Sequence, residues 1–358
     1  MDEKQKKFLN ALNVAFSPNP EAVIKILSLI PSPEEAFKIN QSQLLKLGFR
    51  TQTISNFLNR REKIDIEKEW KKIEKQNIRL ITKDEPEYPK LLKEIAKPPV
   101  ALYIKGKLLP NEQYLASVGT RWPSDYGKIV TNNLIGELCQ SLTIVSGMAR
   151  GIDSLSHKAA IERERRTVAV LGSGLDIIFP PENKNLSQKI EKNGALISEF
   201  PLGTPPLQYN FPLRNRIIAG MSLATLVIEG KKTSGSLITA NIALEEGREV
   251  FAVPGPIFSK TSEGPNNLIK EGAHPVTEAN DVLSQLNIEK PTKEEVKIKA
   301  ETKEEGLIIE LLKQHPASID QIIRETKINP SKINSTLILM EIKGMVKRSG
   351  NLYTLAKN

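Results

Sequence analysis

The sequence has few of the side chains that build redox, metal or cofactor sites. Among its 358 residues are one cysteine and three histidines, and aromatic residues make up 5%. Cys139 has no second cysteine to pair with inside the chain, which fits a reducing compartment. His157, His274 and His315 do not have the spacing of metal ligands. These shortages argue against a disulfide-stabilised protein and a zinc site, and we expect neither a metal ion nor a cofactor.

Long apolar segments are missing from the sequence as well. Nowhere do about eighteen apolar residues follow one another, so a membrane-spanning helix is not expected. The first residues, MDEKQKKFLNALNV, are charged and do not resemble a secretory signal. We therefore expect a cytoplasmic protein that does not associate with membranes.

The net charge of +9 is unevenly distributed along the chain. Residues 1–111 hold 21 basic against 14 acidic side chains, whereas residues 112–286 hold 17 against 18. Residues 287–304 are balanced, and residues 305–358 hold 8 basic against 5 acidic side chains. A basic protein suits nucleic acid or an acidic membrane surface, although many basic proteins bind neither. Because the central region is near neutral, any binding there must depend on a few clustered side chains.

The patterning of the chain predicts five regions. Residues 1–65 show helical apolar spacing broken by prolines, and a faint helix-hairpin-helix (SAM-like) signal, LLKLGF, lies within them. Residues 66–111 are marked by prolines and read as a connecting extension of the core, which spans residues 112–286. Residues 287–304 are highly charged and predict a linker, and residues 305–358 form a small module.

The core alternates short apolar runs, glycine-rich turns and helical stretches. The runs are YLASVGT, LTIVSGMARG, TVAVLGSG, ALISEF, ATLVIEG and EVFAVPG. This alternation predicts an α/β fold, a Rossmann-like doubly wound parallel sheet with helices on both faces. In such sheets ligands bind beyond the carboxyl ends of the strands, which is where these turns lie.

The C-terminal module shows three short helical patterns followed by a hairpin pattern, MVKRSGNLYTL. Three helices followed by a β-hairpin describe a winged-helix domain. Such modules bind duplex DNA or dock onto proteins, and the sequence favours neither partner over the other.

Four of the glycine turns place small residues and hydroxyls where a helix begins. Helix N-termini offer unpaired amides and the positive end of the helix dipole, and both attract phosphate. One such turn alone often only permits a tight bend, but four at one sheet edge, two of them with arginine, indicate a phosphate-binding groove. The predicted residues are Gly119, Thr120 and Arg121; Ser146, Gly147, Met148, Ala149, Arg150 and Gly151; Gly172, Ser173 and Gly174; and Ser234, Gly235 and Ser236.

The segment FPLRNRIIAG adds Arg214, Asn215 and Arg216 at a predicted helix start. Cations at a helix N-terminus oppose its dipole, so they indicate a bound anion. Arginine binds phosphate bidentately and also stacks on bases. Nearby aromatic rings could stack on bases too, although burial in the core is the commoner role for each; these rings belong to Phe179, Tyr209 and Phe211.

Motifs of known enzymes are incomplete in this chain. VLGSGLDI departs from the dinucleotide fingerprint because Ile177 stands at the third glycine position. In GKKTSGS no lysine stands directly before a serine, where a phosphate loop has one. Asp153 and His157 lie four residues apart on a predicted helix and could form an acid–base pair, but a helix-stabilising contact is the commoner arrangement. We therefore do not expect catalysis.

Together these motifs resemble the DprA/Smf family of bacterial DNA-processing proteins. The matching segments span roughly residues 80–285 and include SVGTR, SGMARGIDSLSHKAA, VAVLGSGLDIIFPPEN, FPLRNRIIAG and KTSGSLITA. The resemblance implies a Rossmann-like core that binds single-stranded DNA and forms a homodimer. It also implies that the protein protects incoming single strands and loads the RecA recombinase during natural transformation.

The resemblance also implies which residues bind DNA. By motif position, Arg121, Arg214, Arg216 and the SGMARG and SGS turns should line the DNA pocket. Lys184, after PPEN, and Asn241, after SLITA, match less closely.

An enzyme is the rival interpretation. Related glycine-rich Rossmann-like domains bind nucleotides or cleave nucleoside monophosphates, which needs a carboxylate beside the sugar. Glu229 or Glu199 could in principle serve.

Overall fold

A computed structural model shows how the chain folds. The residues that it describes are 1–289, 300, 302–349 and 352–355. The chain divides into two compact units, Met1–Pro291 and Thr292–Asn358, and each is described by itself. Most of the predicted linker 287–304 lies outside the described residues, which do not include 290–299 or 301. The domain boundaries drawn from the sequence therefore stay predictions.

Five helices at the N-terminus surround an aromatic core. Asp2 caps the first helix, and Pro20 and Pro33 each occupy the first position of a helix, where a missing N–H costs nothing. Phe16 stacks on Phe57 with ring centroids 4.3 Å apart. The proline-broken helical pattern is thus confirmed. The helices are α1 (Glu3–Phe16), α2 (Pro20–Leu29), α3 (Pro33–Lys38), α4 (Gln41–Lys46) and α5 (Thr51–Arg61).

The first unit contains one nine-stranded sheet. Its strands are β1 (Ile78–Thr82), β2 (Ala101–Gly106), β3 (Tyr114–Val118), β4 (Thr143–Ser146), β5 (Thr167–Val170), β6 (Ala195–Ser198), β7 (Ala224–Val227), β8 (Glu249–Ala252) and β9 (His274–Pro275). The spatial order is β1-β2-β6-β5-β4-β3-β7-β8-β9. Strands β3 to β9 run parallel, and every residue of β3 to β7 is buried, as expected of apolar strands covered on both faces.

Helices cover both faces of this sheet. They are α6 (Ile66–Lys75), α7 (Asp125–Leu138), α8 (Ile152–Ile161), α9 (Lys184–Asn193), α10 (Asn210–Met221), α11 (Gly235–Glu245), α12 (Glu263–Lys270) and α13 (Ala279–Gln285). Helices α7, α8 and α13 share one hydrophobic cluster with the sheet, whereas α10, α11 and α12 share another. This confirms the doubly wound fold. Across the described part of the chain, no helix is both long and apolar enough to span a membrane.

The chain reverses its direction of winding between β3 and β7. From β3 it adds β4, β5 and β6 on one side, and it then returns to place β7 on the other side of β3. Such a switch point opens a crevice beyond the strand ends.

Residues 66–111 contribute more to the core than their prolines indicate. They supply α6 and the strands β1 and β2, which are antiparallel and extend the sheet beyond β6. Tyr88 is buried here and donates its hydroxyl hydrogen to the carbonyl oxygen of Pro99 at 2.7 Å. The connecting extension is therefore built into the sheet.

The second unit confirms the predicted winged helix. Three helices and a three-stranded antiparallel sheet enclose a small core of Ile308, Ile322, Ile333, Leu337 and Met340. The hairpin pairs as its sequence predicts, and a short strand that the sequence pattern does not reveal joins its edge. The elements are α14 (Lys303–Gln314), β10 (Ala317–Ser318), α15 (Ile319–Thr326), α16 (Pro330–Ile342), β11 (Val346–Ser349) and β12 (Leu352–Leu355).

Candidate nucleic-acid interface

The carboxyl ends of β3, β4 and β5 meet at a small cleft. Its walls come from the loop after β3, the turn between β4 and α8, the segment after β5 and the start of α10. Because parallel strands end at the same edge of a sheet, these segments lie side by side although they are distant in sequence. The lining residues are Arg121, Gly147, Ala149, Arg150, Phe179, Pro180 and Phe211. Four of the predicted site residues, namely Arg121, Gly147, Ala149 and Arg150, are therefore brought together.

The loop that carries Arg121 is held in place by Glu229, which follows β7. The Thr120 amide donates to the Glu229 carbonyl oxygen at 2.7 Å. The Ser124 amide and hydroxyl donate to the Glu229 carboxylate at 2.9 and 2.6 Å, and the Thr261 hydroxyl donates to it at 2.9 Å. Glu229 is buried. Glu229 thus anchors the loop at both ends, at Thr120 through its backbone carbonyl oxygen and at Ser124 through its carboxylate.

The turn between β4 and α8 is organised by Asp153. The Asp153 carboxylate accepts hydrogen bonds from the amides of Gly147 at 3.1 Å and Ala149 at 3.4 Å. Gly151 has a φ of +77°, and a Cβ at this position would lie 2.2 Å from the Thr120 carbonyl oxygen, so only glycine fits. Two of the amides that the sequence predicts as phosphate donors are therefore already used inside the protein.

Asp153 and His157 do not act as an acid–base pair in this arrangement. His157 is fully buried, and its Nδ1 lies 2.7 Å from Oγ1 of Thr167, on the neighbouring strand β5. Burial and the nearby Arg214 charge lower the pKa of His157 to about 3, so the ring is neutral. Burial raises the pKa of Asp153 against the opposing effect of Arg214. Asp153 stabilises the turn, and His157 joins α8 to β5.

Three arginines at the cleft have different environments. Arg121 is exposed, and among the described residues no acceptor binds its guanidinium, which lies 5.9 Å from the centroid of the Phe211 ring. Arg150 is also exposed but forms an ion pair with Glu182. Arg214 is buried and donates to the carbonyl oxygens of Gly147, at 2.8 Å, and Val170.

The buried arginine has a structural role in the cleft wall. Burial lowers the pKa of Arg214 to about 10; the charge of Asp153 opposes this shift, and that of Arg121 adds to it. At neutral pH it therefore keeps its positive charge beneath the cleft. Its guanidinium joins the ends of β4 and β5 through their carbonyl oxygens.

Arg216, which the resemblance predicts in the DNA pocket, does not line this cleft. Nη2 of Arg216 donates to Oε1 of Glu199 at 2.6 Å, and its Nη1 donates to the Lys97 carbonyl oxygen at 2.8 Å. Both charged side chains of this pair are buried. Positions 214 and 216 are about 200° apart around a helix, so their side chains leave α10 in different directions.

The remaining predicted residues form hydrogen bonds within the protein or lie on its surface away from the cleft lining. The Ser173 hydroxyl donates to the Ile177 carbonyl oxygen at 2.7 Å, and the Gly174 amide donates to that of Thr204 at 2.9 Å. The Ser146 hydroxyl donates to the Ser117 carbonyl oxygen at 2.6 Å. Outside the cleft lining lie Gly119, Thr120, Ser146, Met148, Gly151, Gly172, Ser173, Gly174, Lys184, Asn215, Ser234, Gly235, Ser236 and Asn241, of which Lys184, Gly235 and Asn241 are exposed.

The aromatic side chains are more accessible than the sequence predicts. Phe179 is 38% exposed and Tyr209 is 54% exposed, and Phe211 is half-buried. Burial in the core is therefore the wrong expectation for these rings. Phe179 and Phe211 face each other across 5.9 Å at an interplanar angle of 38°. The only feature of the sequence that indicates their exposure is their position beside the glycine turns.

Comparison with known proteins agrees with this architecture. Residues 79–287 match the family model described as DNA recombination-mediator protein A, and residues 292–351 match that of the DprA winged helix domain. The chain belongs to the DNA recombination-mediator protein A (DprA) family. Membership assigns it a role in DNA processing during recombination.

Three relatives show how far this similarity extends. The DNA processing protein DprA of Bacillus subtilis is 45% identical over 214 residues, which are 59% of this chain and 72% of that protein. The structure of DprA from Streptococcus pneumoniae matches with a TM-score of 0.67 and 36% identity, over 77% of this chain and 95% of that one. DprA from Helicobacter pylori, described for its single-stranded DNA binding mode, matches with a TM-score of 0.53 and 28% identity over 59% and 95%.

Replacing Arg216 with alanine should lower the free energy of unfolding by about 3–5 kcal/mol, because Glu199 is then buried without its partner. Urea denaturation measures this change. The double variant Arg216→Met with Glu199→Leu is the control, and it should recover most of the stability because no charge is left unpaired. DNA affinity per folded molecule should not change in either variant. Weaker DNA binding by an Arg216→Ala protein of unchanged stability would contradict the structural role.

Proposed function

We propose that this DprA-family protein binds single-stranded DNA in the cleft at the ends of β3, β4 and β5. The observation that carries the proposal is Arg121, an exposed guanidinium without an acceptor among the described residues, beside the rings of Phe179 and Phe211. A free arginine fork suits a phosphate oxygen, and the rings suit bases. The single-stranded DNA binding described for the H. pylori relative supports this assignment.

The cleft favours a single strand over a duplex for a geometric reason. The faces of bases in a duplex are covered by their neighbours, whereas a single strand can turn a base onto an aromatic ring. Phe179 and Phe211 lie close enough to bind one flexible strand between them and Arg121. Arg214 adds a fixed positive charge behind the same wall. Binding is an equilibrium process that requires no cofactor or metal ion.

We further propose that the bound strand is transferred to RecA and that the protein acts as a homodimer in the cytoplasm. The family's role in recombination supports the transfer. Arg121, Phe179 and Phe211 contact only a short length of strand, so neighbouring nucleotides stay accessible to a recombinase. The winged helix has a second partner of its own, duplex DNA or a protein.

The geometry gives the rival enzyme little support. Glu229 accepts hydrogen bonds from Ser124 and Thr261, and Glu199 pairs with Arg216. A carboxylate that attacks or polarises a sugar must be free to reach it. We therefore propose that the protein has no catalytic activity of its own.

Replacing Arg121 with alanine should weaken the binding of single strands of every sequence about equally, because binding to a phosphate carries no base information. We expect affinity to fall by roughly ten- to a hundredfold, the value of a charge-assisted hydrogen bond. The plot of log K against log salt should become shallower by roughly 0.7 for each phosphate that the variant no longer binds. Fluorescence anisotropy with labelled oligonucleotides at several salt concentrations measures both effects.

Arg79→Ala is the matched control for Arg121→Ala. It removes the same charge from β1, where the side chain pairs with Glu87, so the salt slope should stay at the parent value. Arg214→Ala is a poorer test, because the hydrogen bonds of Arg214 to Gly147 and Val170 also stabilise the fold. If Arg121→Ala binds like the parent at every salt concentration, the site lies elsewhere.

Deleting residues 287–358 should leave single-strand binding largely intact, because the cleft belongs entirely to the first unit. The affinity should fall by less than about tenfold, or ~1.4 kcal/mol. Thermal melting of the shortened protein shows whether the remainder is folded. A larger decrease in a folded protein would mean that the winged helix forms part of the main site.

Incubation with AMP, ATP or DNA should release no free base, phosphate or nucleotide. Chromatography of the reaction mixtures tests this, with the Glu229→Gln and Glu199→Gln variants as controls. Turnover by the parent that either substitution abolishes would support the rival enzyme.

A further inference from the structure

An exposed tryptophan belongs to the loop that contributes Arg121 to the cleft. Trp122 follows Arg121, and 77% of its surface is in contact with solvent. Isolated exposed apolar residues are common on proteins, so exposure alone decides nothing. Trp122 stands next to Arg121, which has no acceptor among the described residues. Because single-strand binding sites combine cations with aromatic rings, this position indicates a role in binding.

The loop that carries Trp122 is held at both of its ends. Glu229 anchors it on both sides, at Thr120 and at Ser124, with hydrogen bonds of 2.6 to 2.9 Å. Within the loop, the Trp122 amide donates to Oγ1 of Thr120 at 3.2 Å. The backbone is thus fixed before any ligand arrives, which reduces the entropy that binding must overcome.

From this geometry we propose that Trp122 stacks on a nucleobase of single-stranded DNA, next to the phosphate that Arg121 binds. This inference rests on the proposed function and adds a binding residue outside the cleft lining. Phe179 and Phe211 contact a base inside the cleft, and Trp122 contacts a base beyond Arg121. Stacking uses the face of the base, so Trp122 contributes affinity without sequence preference.

Intrinsic fluorescence tests the stacking directly, because the full chain has two tryptophans. Trp70 is 9% exposed and donates its Nε1 hydrogen to Glu74 at 2.8 Å, so DNA should not reach it. Titration with oligo(dT) should quench the emission of the parent protein and of Trp70→Phe. Emission of Trp122→Phe, which comes from Trp70 alone, should not change.

Affinity supplies the second test. Trp122→Ala should bind oligo(dT) about five- to 150-fold more weakly, and Trp122→Phe, which keeps a ring, should bind much more tightly than Trp122→Ala. Ile342→Ala is the control for removing an exposed apolar side chain, since Ile342 in the second unit is also 77% exposed. Its affinity should equal that of the parent.

The oligomeric mass, measured without DNA, shows whether Trp122 contacts a base or a second copy of the chain. The mass of Trp122→Ala should equal that of the parent. A change in mass would assign Trp122 to an interface between copies and overturn the inference. So would oligo(dT) affinity equal to the parent's, or the lack of quenching in Trp70→Phe. In these cases the parent still binds the strand and the proposed function stands, whereas failure of the parent to bind would refute both.

Discussion

The cleft depends on the buried carboxylate of Glu229. Removing a charge from water is costly unless hydrogen bonds compensate it, and the Ser124 amide and hydroxyl and the Thr261 hydroxyl do so here. Because these donors are neutral, the negative charge is stabilised by two segments, the loop after β3 and the loop after β8, and not by one cation. These hydrogen bonds join the loop after β3 to the end of β7 and set the position of that loop. Arg121 and its neighbours are placed by this interaction.

Two arginines supply the positive charge of the cleft, and their environments differ. Arg214 is enclosed by carbonyl oxygens and cannot move toward a ligand, whereas Arg121 is exposed and free to follow one. The centroid of the Phe211 ring lies 5.9 Å from each of the two guanidinium groups. In the proposed function, the buried charge of Arg214 attracts a DNA strand from a distance, and the exposed Arg121 binds it.

The fold could be predicted from the sequence because each signal is local. Buried parallel strands read as apolar runs, and the switch from strand to helix is marked by a glycine turn, as in SGMARG. Arg121 could be predicted for the same reason, since it follows a strand and its direction is set by the turn. The ion pair of Arg216 could not be predicted, because its partner Glu199 follows a different strand. The use of the Gly147 and Ala149 amides by Asp153 is also hidden in the sequence, since it depends on how the first turn of α8 folds back.

The last strand of the sheet has a consequence for how copies of the protein can assemble. An open sheet edge offers a row of unpaired amides and carbonyls to which another chain can add. Here β9 is only two residues long, and Pro275 has no N–H to offer. The next amide, that of Val276, already donates to the Ala252 carbonyl oxygen at 2.9 Å. This edge therefore ends the sheet, and a second copy of the chain cannot extend the sheet by pairing with β9.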